Sequence, residues 1–305
     1  MVERIRLIER KDISEEKWAA CVASHPSTAS VFAQTWYLDA CASPWDALVC
    51  GDYEAVLPLF HRRKYGIRYV YPPFFVAQIG ILGNLSQAPA VAEWLRAIPR
   101  CYRYVELIFN AENPIASDLS LPQKQHQTFL LNLNSPYALL REAYHQNHRR
   151  NLKKAEECQL QVVRSVEDRE VVQMFRNQWG SDKRVGFREA DYERLLWLLP
   201  LLRQHNALET WGVTDAQGNL CASAFFPYMY GRYTFLFSGR AAASQQNRAM
   251  FFLIDSFVRQ HAGQECLLDF NGSNNPQIAQ FYHGFGAERQ VYTQIFMPFW
   301  KRWGL

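Results

Sequence analysis

The pattern of apolar and polar positions near the end of the chain predicts a strand, a turn and a short helix. Residues 266–269 form an apolar run that ends in Asp269, as buried strands often do. The polar residues 271–274 are typical of a turn, and Pro276 suits the first turn of a helix because it lacks only an N–H that has no partner there. Apolar residues then recur at helical spacing up to Gly284 and Gly286, which predict the end of the helix.

The same pattern extends through both halves of the chain. Short alternating or apolar runs predict strands, and turn residues at 51–53, 65–66, 215–219 and 231–232 separate strands that are expected to pair antiparallel. Amphipathic stretches between the strands predict helices. The chain has 305 residues, of which 49% are hydrophobic, so it is long enough for one or two domains with large cores. We therefore expect an α/β (α+β) fold with mixed, mostly antiparallel sheets flanked by helices.

A basic helix is predicted between the two halves. Residues 134–136, Asn-Ser-Pro, are a strong helix start, and the helical pattern continues to about residue 158. Four cations lie on its polar side and stack like charges at i,i+4 spacing: Arg149, Arg150, Lys153 and Lys154. Glu156 and Glu157 are expected to offset part of this repulsion. The helix therefore indicates a site for an anionic or phosphate group, and the alternative is a solvated face.

Composition and charge exclude several classes of function. The net charge of +4 does not mark the whole surface as a nucleic-acid binder, and we expect no DNA partner. Seven cysteines are widely spaced without a C-x-x-C pair, which predicts reduced thiols and no metal site. The N-terminus is too charged for a signal peptide, and no run approaches the roughly 20 apolar residues of a membrane helix. These features predict a cytoplasmic protein.

Two smaller basic stretches each have two interpretations. Residues 61–64, which end in Lys64, are either a solvated hairpin end or a contact for an anion. The aromatic and basic tail at residues 299–303 either contacts a membrane surface or packs its rings on a sheet, and the second is the expectation.

The late part of the chain resembles a known superfamily. Asn275, Tyr282 and Gly286 resemble the late motif of the GNAT acyltransferases. Residues 269–273 followed by the helix at 278–287, and the basic stretch 148–155, resemble the FemAB-like branch. That branch consists of double-GNAT proteins related to the peptidoglycan-bridge aminoacyltransferases. The resemblance implies two tandem GNAT-like domains: residues 1–134, a degenerate domain, and residues 135–305, which carry the acyl-donor site.

The resemblance also implies roles for individual residues. Tyr282 is the expected proton donor to the leaving group. Asp269 is expected to orient the amine or accept its proton, with capping of the following turn as the alternative. A coenzyme A site is expected at Ser238, Gln246, Asn247, Arg248, Ala249 and Asn271. The usual pyrophosphate loop, Q/R-x-x-G-x-G/A, has two glycines, whereas this stretch has none, so its side chains are expected to crowd a pyrophosphate.

The sequence thus predicts an N-acyltransferase. It would transfer an acyl group from acetyl-CoA or another acyl-CoA to an amine of an anionic small molecule or cell-envelope precursor. The basic helix and Lys64 would bind the acceptor. Two alternatives remain: an aminoacyl-tRNA-dependent aminoacyltransferase and a non-catalytic binding protein with the same fold. The missing glycines favour tRNA as the donor, whereas the low net charge opposes it. No metal-ligand spacing, serine nucleophile elbow or P-loop is present.

Overall fold

The chain forms two compact units in a computed structural model. The structure describes residues 5–300 except 43, 114, 117–118, 181–185, 243 and 273, and it leaves the side chains of residues 244 and 245 undescribed. Unit 1 consists of Met1–Gln127 together with Val291–Leu305, and unit 2 consists of Thr128–Gln290. These bounds differ from the expected domains, 1–134 and 135–305. The difference at the end of the chain arises because the last strand pairs with a strand of unit 1.

Unit 1 is a sheet with helices packed on it. Its helices are α1 (Glu15–Ala23), α2 (Thr35–Ala42) and α3 (Val91–Ala97). Its strands are β1 (Ile5–Glu9), β2 (Trp45–Cys50), β3 (Ala55–Lys64), β4 (Ile67–Val70), β5 (Leu82–Gly83), β6 (Tyr102–Phe109), the start of β7 (Gln123–Asn132) and most of β14 (Glu288–Pro298).

Pairing between strands sets the order of unit 1. The strands follow one another as β1-β2-β3-β4-β6-β14, with β5 paired to β3. The last strand joins this sheet because β14 pairs antiparallel with β6, from Thr293↔Phe109 to Pro298↔Tyr104. The core of unit 1 includes Trp94 and Phe109, both fully buried. Residues 291–298 therefore belong to the sheet of unit 1.

Unit 2 has the remaining strands and a larger set of helices. The helices are α4 (Tyr137–Glu142), α5 (Gln146–Glu156), α6 (Asp168–Trp179), α7 (Glu189–Gln204), α8 (Ser244–Asn247), α9 (Ala249–His261) and α10 (Pro276–His283). The strands, besides the end of β7, are β8 (Gln161–Val163), β9 (Leu208–Thr214), β10 (Leu220–Met229), β11 (Arg232–Thr234), β12 (Phe237–Arg240) and β13 (Leu267–Asp269).

The sheet of unit 2 runs in the order β7-β13-β11-β10-β9-β8, with β12 paired to β10. Its pairs are antiparallel except β11 with β13, which is parallel, as expected for a mixed sheet. The apolar side of α9 covers this sheet, and Phe257 stacks on Phe226 of β10 with ring centroids 4.0 Å apart. The mixed α+β architecture predicted from the sequence is confirmed.

The predicted basic helix is two helices, not one. α4 ends at Glu142 and α5 begins at Gln146. His145 between them is extended, and its N–H donates to the carbonyl of Gly284 at 2.9 Å. A continuous helix would instead direct this N–H to the carbonyl four residues earlier. The contact with Gly284 therefore breaks the helix, which the sequence pattern did not reveal.

The expectation for the C-terminal tail is wrong where the structure describes it. Phe299 is 37% exposed and Trp300 is 73% exposed, so these rings are not buried on a sheet. The guanidinium of Arg103 lies over the Phe299 ring at 4.3 Å. Residues 301–303 of the predicted tail lie outside the described residues.

The seven cysteines are distributed over both units. All seven cysteines are free thiols, and five of them are buried. Across the described parts of the chain, no group of histidine, cysteine or acidic side chains has the arrangement of a metal site. No helix in those same parts is both long and apolar enough to cross a bilayer.

Candidate active site

The strand, turn and helix predicted at residues 266–287 are confirmed. β13 ends at Asp269, and α10 begins after Asn275, whose side chain accepts a hydrogen bond from the N–H of Gln277 at 2.9 Å. Pro276 occupies the first turn, where its missing N–H has no cost. Gly284 caps the end of the helix, and Gly286 follows with φ of 78°. Ser273, in the turn, lies outside the described residues.

Two neighbouring strands separate beside this helix. β11 and β13 pair in parallel from Arg232↔Leu267 to Thr234↔Asp269, and the N–H of Phe235 still donates to the carbonyl of Asp269 at 2.8 Å. The next residue, Leu236, donates its N–H to Phe225 of β10 instead. From there β12 pairs with β10, and no pair with β13 is found among the described residues. The sheet therefore opens after Phe235 and Asp269.

The ring of Tyr282 lies at the point where these strands separate. It stacks on Phe270, the residue after β13, with centroids 4.5 Å apart and planes 20° apart. It meets Phe235, the residue after β11, edge-on at 6.0 Å, and Phe129 of β7 at 6.4 Å. These three phenylalanines come from the strands on both sides of the opening. α10 therefore holds the phenol against the divergence of β11 and β13.

The Tyr282 hydroxyl is able to donate a hydrogen bond or a proton to a ligand. The side chain is only partly exposed, and burial raises its pKa above the ordinary value. The hydroxyl has no hydrogen-bond partner in the described part of the chain. A buried phenol normally finds such a partner. Tyr282 is therefore a protonated donor at neutral pH whose hydroxyl is bonded to none of the described residues.

Asp269 is held inside the sheet by several partners. Its Oδ1 accepts the hydroxyl of Thr128 at 2.6 Å and the N–H of Asn271 at 2.8 Å, and Arg232 approaches its Oδ2 at 3.7 Å. Burial raises the pKa of this carboxyl, while Arg232 and Thr128 act in the opposite direction. The side chain is 2% exposed. This geometry matches the capping alternative, in which Asp269 fixes the turn that leads into α10.

Thr128 extends this support to the turn itself. Its hydroxyl accepts the N–H of Gly272 at 2.9 Å while it donates to Asp269, and the side chain is fully buried. Sequence reasoning missed Thr128 and Arg232, because they lie on strands that are distant from Asp269 in sequence. Strand pairing alone brings them to the turn, so no local motif could have identified them.

α5 packs closely on the end of α10. His148 is buried, and its Nε2 lies 2.8 Å from the carbonyl of Phe281, which fixes Nε2 as the protonated nitrogen. Burial lowers the pKa of His148, so the ring is neutral. A Cβ on Gly284 would lie 1.9 Å from Cε1 of His148. The glycine thus allows α5 to approach the helix that carries Tyr282.

The four basic residues of α5 point to solvent. Arg149, Arg150, Lys153 and Lys154 are all exposed, and none of them forms an ion pair within the described residues. The expected compensation by Glu156 is wrong, because its carboxylate binds Arg141 at 2.8 Å. Lys64, the other predicted contact for the acceptor, is exposed at the end of β3 in unit 1.

The residues predicted to bind coenzyme A lie on β12, in α8, at the start of α9 and in the turn after β13. The N–H of Ala249, the first of α9, donates to Oδ1 of Asn247 at 3.1 Å, and Ala249 itself is fully buried. The amide nitrogen of Asn247 contacts Sγ of Cys221 at 3.2 Å. Because a pyrophosphate is bound largely by free N–H groups at a helix start, this internal capping occupies a donor that it would need.

The remaining predicted cofactor contacts are scattered around this region. Arg248 has a left-handed backbone with φ of 61°, and Gln246 is exposed. Ser238 is partly buried on β12, beside the opening of the sheet. Asn271 also has a positive φ, and its N–H is already bonded to Asp269. Of the predicted set, Ser238 and Asn271 therefore flank the opening, whereas Asn247 caps the start of α9 through the N–H of Ala249.

The likeness of this chain to known proteins lies in its fold and not in its sequence. In sequence, neither the family models nor the curated proteins compared with this chain give a match. In structure, the chain is similar to FemX, with a TM-score of 0.62 at 12% identity over 92% of this chain and 96% of that one. It is also similar to the C-terminal domain of a protein assigned as a lysylphosphatidylglycerol synthetase from Agrobacterium fabrum, with a TM-score of 0.55 at 11% identity over 92% and 90%.

A third structure of similar fold is L-PGS from Bacillus licheniformis. Its TM-score is 0.54 at 12% identity, and the match covers 92% of this chain and 91% of that one. At such low identity the likeness concerns the fold and not the activity. Each match spans nearly the whole of both chains, as the resemblance seen in the sequence implies. The protein therefore has a GNAT/FemAB-like fold.

Proposed function

We propose that this protein is an N-acyltransferase that moves an aminoacyl group from the end of a tRNA to an amine. The observation that carries the proposal is the position of Tyr282 at the opening between β12 and β13, with its hydroxyl bonded to no residue that the structure describes. An acyl group inserted between the strands would meet this phenol where the strands separate. The similarity of fold to FemX and to L-PGS supports transfer of an acyl group as the class of reaction.

Tyr282 acts as the general acid in the proposed step. The amine of the acceptor attacks the carbonyl carbon of the ester, a C–N bond forms, and the C–O bond to the ribose breaks. Tyr282 gives its proton to the departing ribose oxygen. The attacking amine loses a proton as the C–N bond forms, and this proton restores the phenol. Burial raises the pKa of Tyr282, which keeps the proton on the phenol at neutral pH until the leaving group needs it.

The proposed donor is an ester of tRNA and not a thioester of coenzyme A. Asn247 occupies the N–H of Ala249, so the start of α9 is poorly suited to a pyrophosphate. The exposed cations of α5 lie on a helix that packs against α10, and they suit the repeated phosphates of an RNA end. The acceptor is proposed to be an amine on an anionic cell-envelope precursor.

Binding of the donor is tested without knowledge of the acceptor. A short RNA hairpin ending in CCA is prepared uncharged and with an amide-linked amino acid, and binding of each is followed by fluorescence anisotropy. We expect the charged hairpin to bind about tenfold more tightly than the uncharged one, and both affinities to fall steeply with salt. Acetyl-CoA is expected to leave the melting temperature of the protein unchanged.

Transfer is tested with radiolabelled donors. Charged tRNA and acetyl-CoA are each incubated with the protein and a nucleotide-linked peptidoglycan precursor that has a free lysine amine. We expect label to move only from the charged tRNA. Movement of label from acetyl-CoA would refute the proposed donor while keeping acyl transfer. Equal affinity for charged and uncharged RNA, together with no transfer from either donor, would refute the proposed function.

A further inference from the structure

One end of the sheet in unit 1 exposes large apolar side chains on a projecting hairpin. Tyr65 is 91% exposed and Ile67 is 51% exposed, on either side of the turn that joins β3 to β4. The last pair between β2 and β3 is Trp45↔Phe60, so β3 continues four residues beyond it to Lys64. At about 3.3 Å per residue, the hairpin extends roughly 13 Å past β2. Tyr65 and Ile67 therefore lie at a tip that β2 does not cover.

The ends of β6 and β14 add further exposed rings to the same end of the sheet. β4 pairs with β6 at Arg68↔Tyr102, and β6 pairs with β14 at Pro298↔Tyr104. Phe299 and Trp300, which follow β14, are therefore about two strand spacings, roughly 10 Å, from the start of β4. The side chains of Tyr104, Phe299 and Trp300 are all exposed.

Cations are interleaved with these rings. Five of them are exposed and form no ion pair within the described residues: Arg62, Arg63, Lys64, Arg68 and Arg103. Several lie over aromatic rings instead, at 4.3 Å for Arg62 on Tyr71, 5.3 Å for Lys64 on Tyr65 and 4.3 Å for Arg103 on Phe299. We call these five cations, with Tyr65, Ile67, Tyr104, Phe299 and Trp300, the basic aromatic edge.

Two carboxylates on the adjoining strands interact with side chains other than these five cations. Asp46 of β2 lies 3.0 Å from Nε2 of His61, and Glu106 of β6 accepts a hydrogen bond from Gln294. Neither carboxylate is among the partners of the five cations. The basic aromatic edge therefore has an uncompensated positive charge next to exposed apolar surface.

We propose that the basic aromatic edge docks this protein on a bilayer that contains anionic lipid. Lysine and arginine are attracted by the negative potential of such a surface, and tyrosine and tryptophan favour the headgroup level. Ile67 has no polar group and no ring to stack on a base, so it suits acyl chains better than RNA. The cations are spread along a hairpin and the start of β6 instead of converging on one point, which fits many headgroups and not a single phosphate.

The test uses the whole protein and sedimentation with vesicles. One set contains equal amounts of phosphatidylglycerol and phosphatidylcholine, and the other contains phosphatidylcholine alone, both at about 0.1 M salt. We expect binding to the anionic vesicles only. The double variant Tyr65→Ser/Ile67→Ser and the double variant Lys64→Glu/Arg68→Glu are each expected to weaken binding by about tenfold. All four side chains are exposed, and an unchanged melting temperature confirms that each variant is folded.

A matched control separates the edge from general positive charge. Arg150→Glu/Lys154→Glu makes the same change of charge on α5, and we expect it to leave vesicle binding unchanged. The proposal is overturned if the wild type does not sediment with anionic vesicles, or if the α5 control loses as much binding as Lys64→Glu/Arg68→Glu. It is also overturned if the hairpin variants lose binding to tRNA and keep binding to vesicles. Sedimentation with vesicles needs no acyl donor, so wild-type binding is measured independently of the proposed function.

Discussion

Tyr282 is the single side chain on which the proposed chemistry depends, and its hydroxyl can be removed without removing its ring. Tyr282→Phe keeps the stacking on Phe270 and loses only a hydroxyl that no residue in the described ranges bonds. We expect the rate of acyl transfer under saturating donor to fall about a hundredfold, which is typical of the loss of a general acid. Donor affinity and melting temperature should stay close to those of the wild type.

The matched control is Tyr233→Phe, which removes a phenol that donates to Glu209 at 2.9 Å. This variant should lose stability and keep its rate of transfer. If Tyr282→Phe transfers as fast as the wild type, the phenol has no part in the reaction.

Thr128 supports the turn before α10 through one hydroxyl. Thr128→Val leaves the buried carboxyl of Asp269 and the N–H of Gly272 without this partner. We expect the free energy of unfolding to fall by about 1–3 kcal/mol, the usual cost of a buried polar group left unsatisfied. Thr128→Ser keeps the hydroxyl and should recover most of the loss in denaturant titrations. An equal loss in both variants would show that packing of the methyl group matters, and not the hydrogen bonds.

At the scale of elements, the approach of α5 to α10 depends on Gly284. In Gly284→Ala the new methyl group would overlap the ring of His148, and we expect a loss of about 1–3 kcal/mol, as for overpacked cores. The backbone of Gly284 is helical, with φ of −64°, so strain of the backbone does not contribute. Thermal unfolding measures the effect.

His148→Ala removes the ring that causes the overlap. In that background Gly284→Ala should cost much less, and the two changes should be clearly non-additive in a double-mutant cycle. Additive losses would mean that Gly284 acts through something other than His148.

Local patterns explain which elements the sequence could predict. Asn275, Pro276 and the glycines that follow α10 act within a few residues of each other, so the strand, turn and helix were predictable. The break before α5 was not, because it depends on the contact of His145 with Gly284, which is distant in sequence. The partners of Asp269 were missed for the same reason. The resemblance to the GNAT late motif identified Tyr282, but only the pairing of strands shows that the sheet opens beside it.

At the scale of the whole molecule, a second polar cluster in unit 2 contributes to its stability in acid. Glu209 accepts hydrogen bonds from Trp211 at 2.8 Å and from Arg164 at 2.7 Å, and His261 lies at 3.3 Å. Burial alone would raise the pKa of Glu209, but His261, Trp211 and Arg164 lower it to about 2. Folding thus favours the charged form of Glu209. The contacts of its carboxylate connect β9 to α9 and to the end of β8.

The sign of the pH dependence follows from this lowered pKa. The stability that Glu209 contributes is present above its usual pKa of 4.5 and is lost as the pH falls towards about 2. Glu209→Gln should therefore be less stable than the wild type at neutral pH, by about 1–2 kcal/mol after allowance for screening by solvent. The difference should shrink steadily below pH 4.5 in urea titrations. A difference that does not change with pH would assign the loss to packing.

The most direct test of the account is a crystal structure of the protein with an amide-linked aminoacyl-RNA end. We expect the acyl group to lie between β12 and β13, with the Tyr282 hydroxyl about 3 Å from the atom that replaces the ester oxygen. An acyl group bound away from this opening, or strands that pair across it in the complex, would contradict the account.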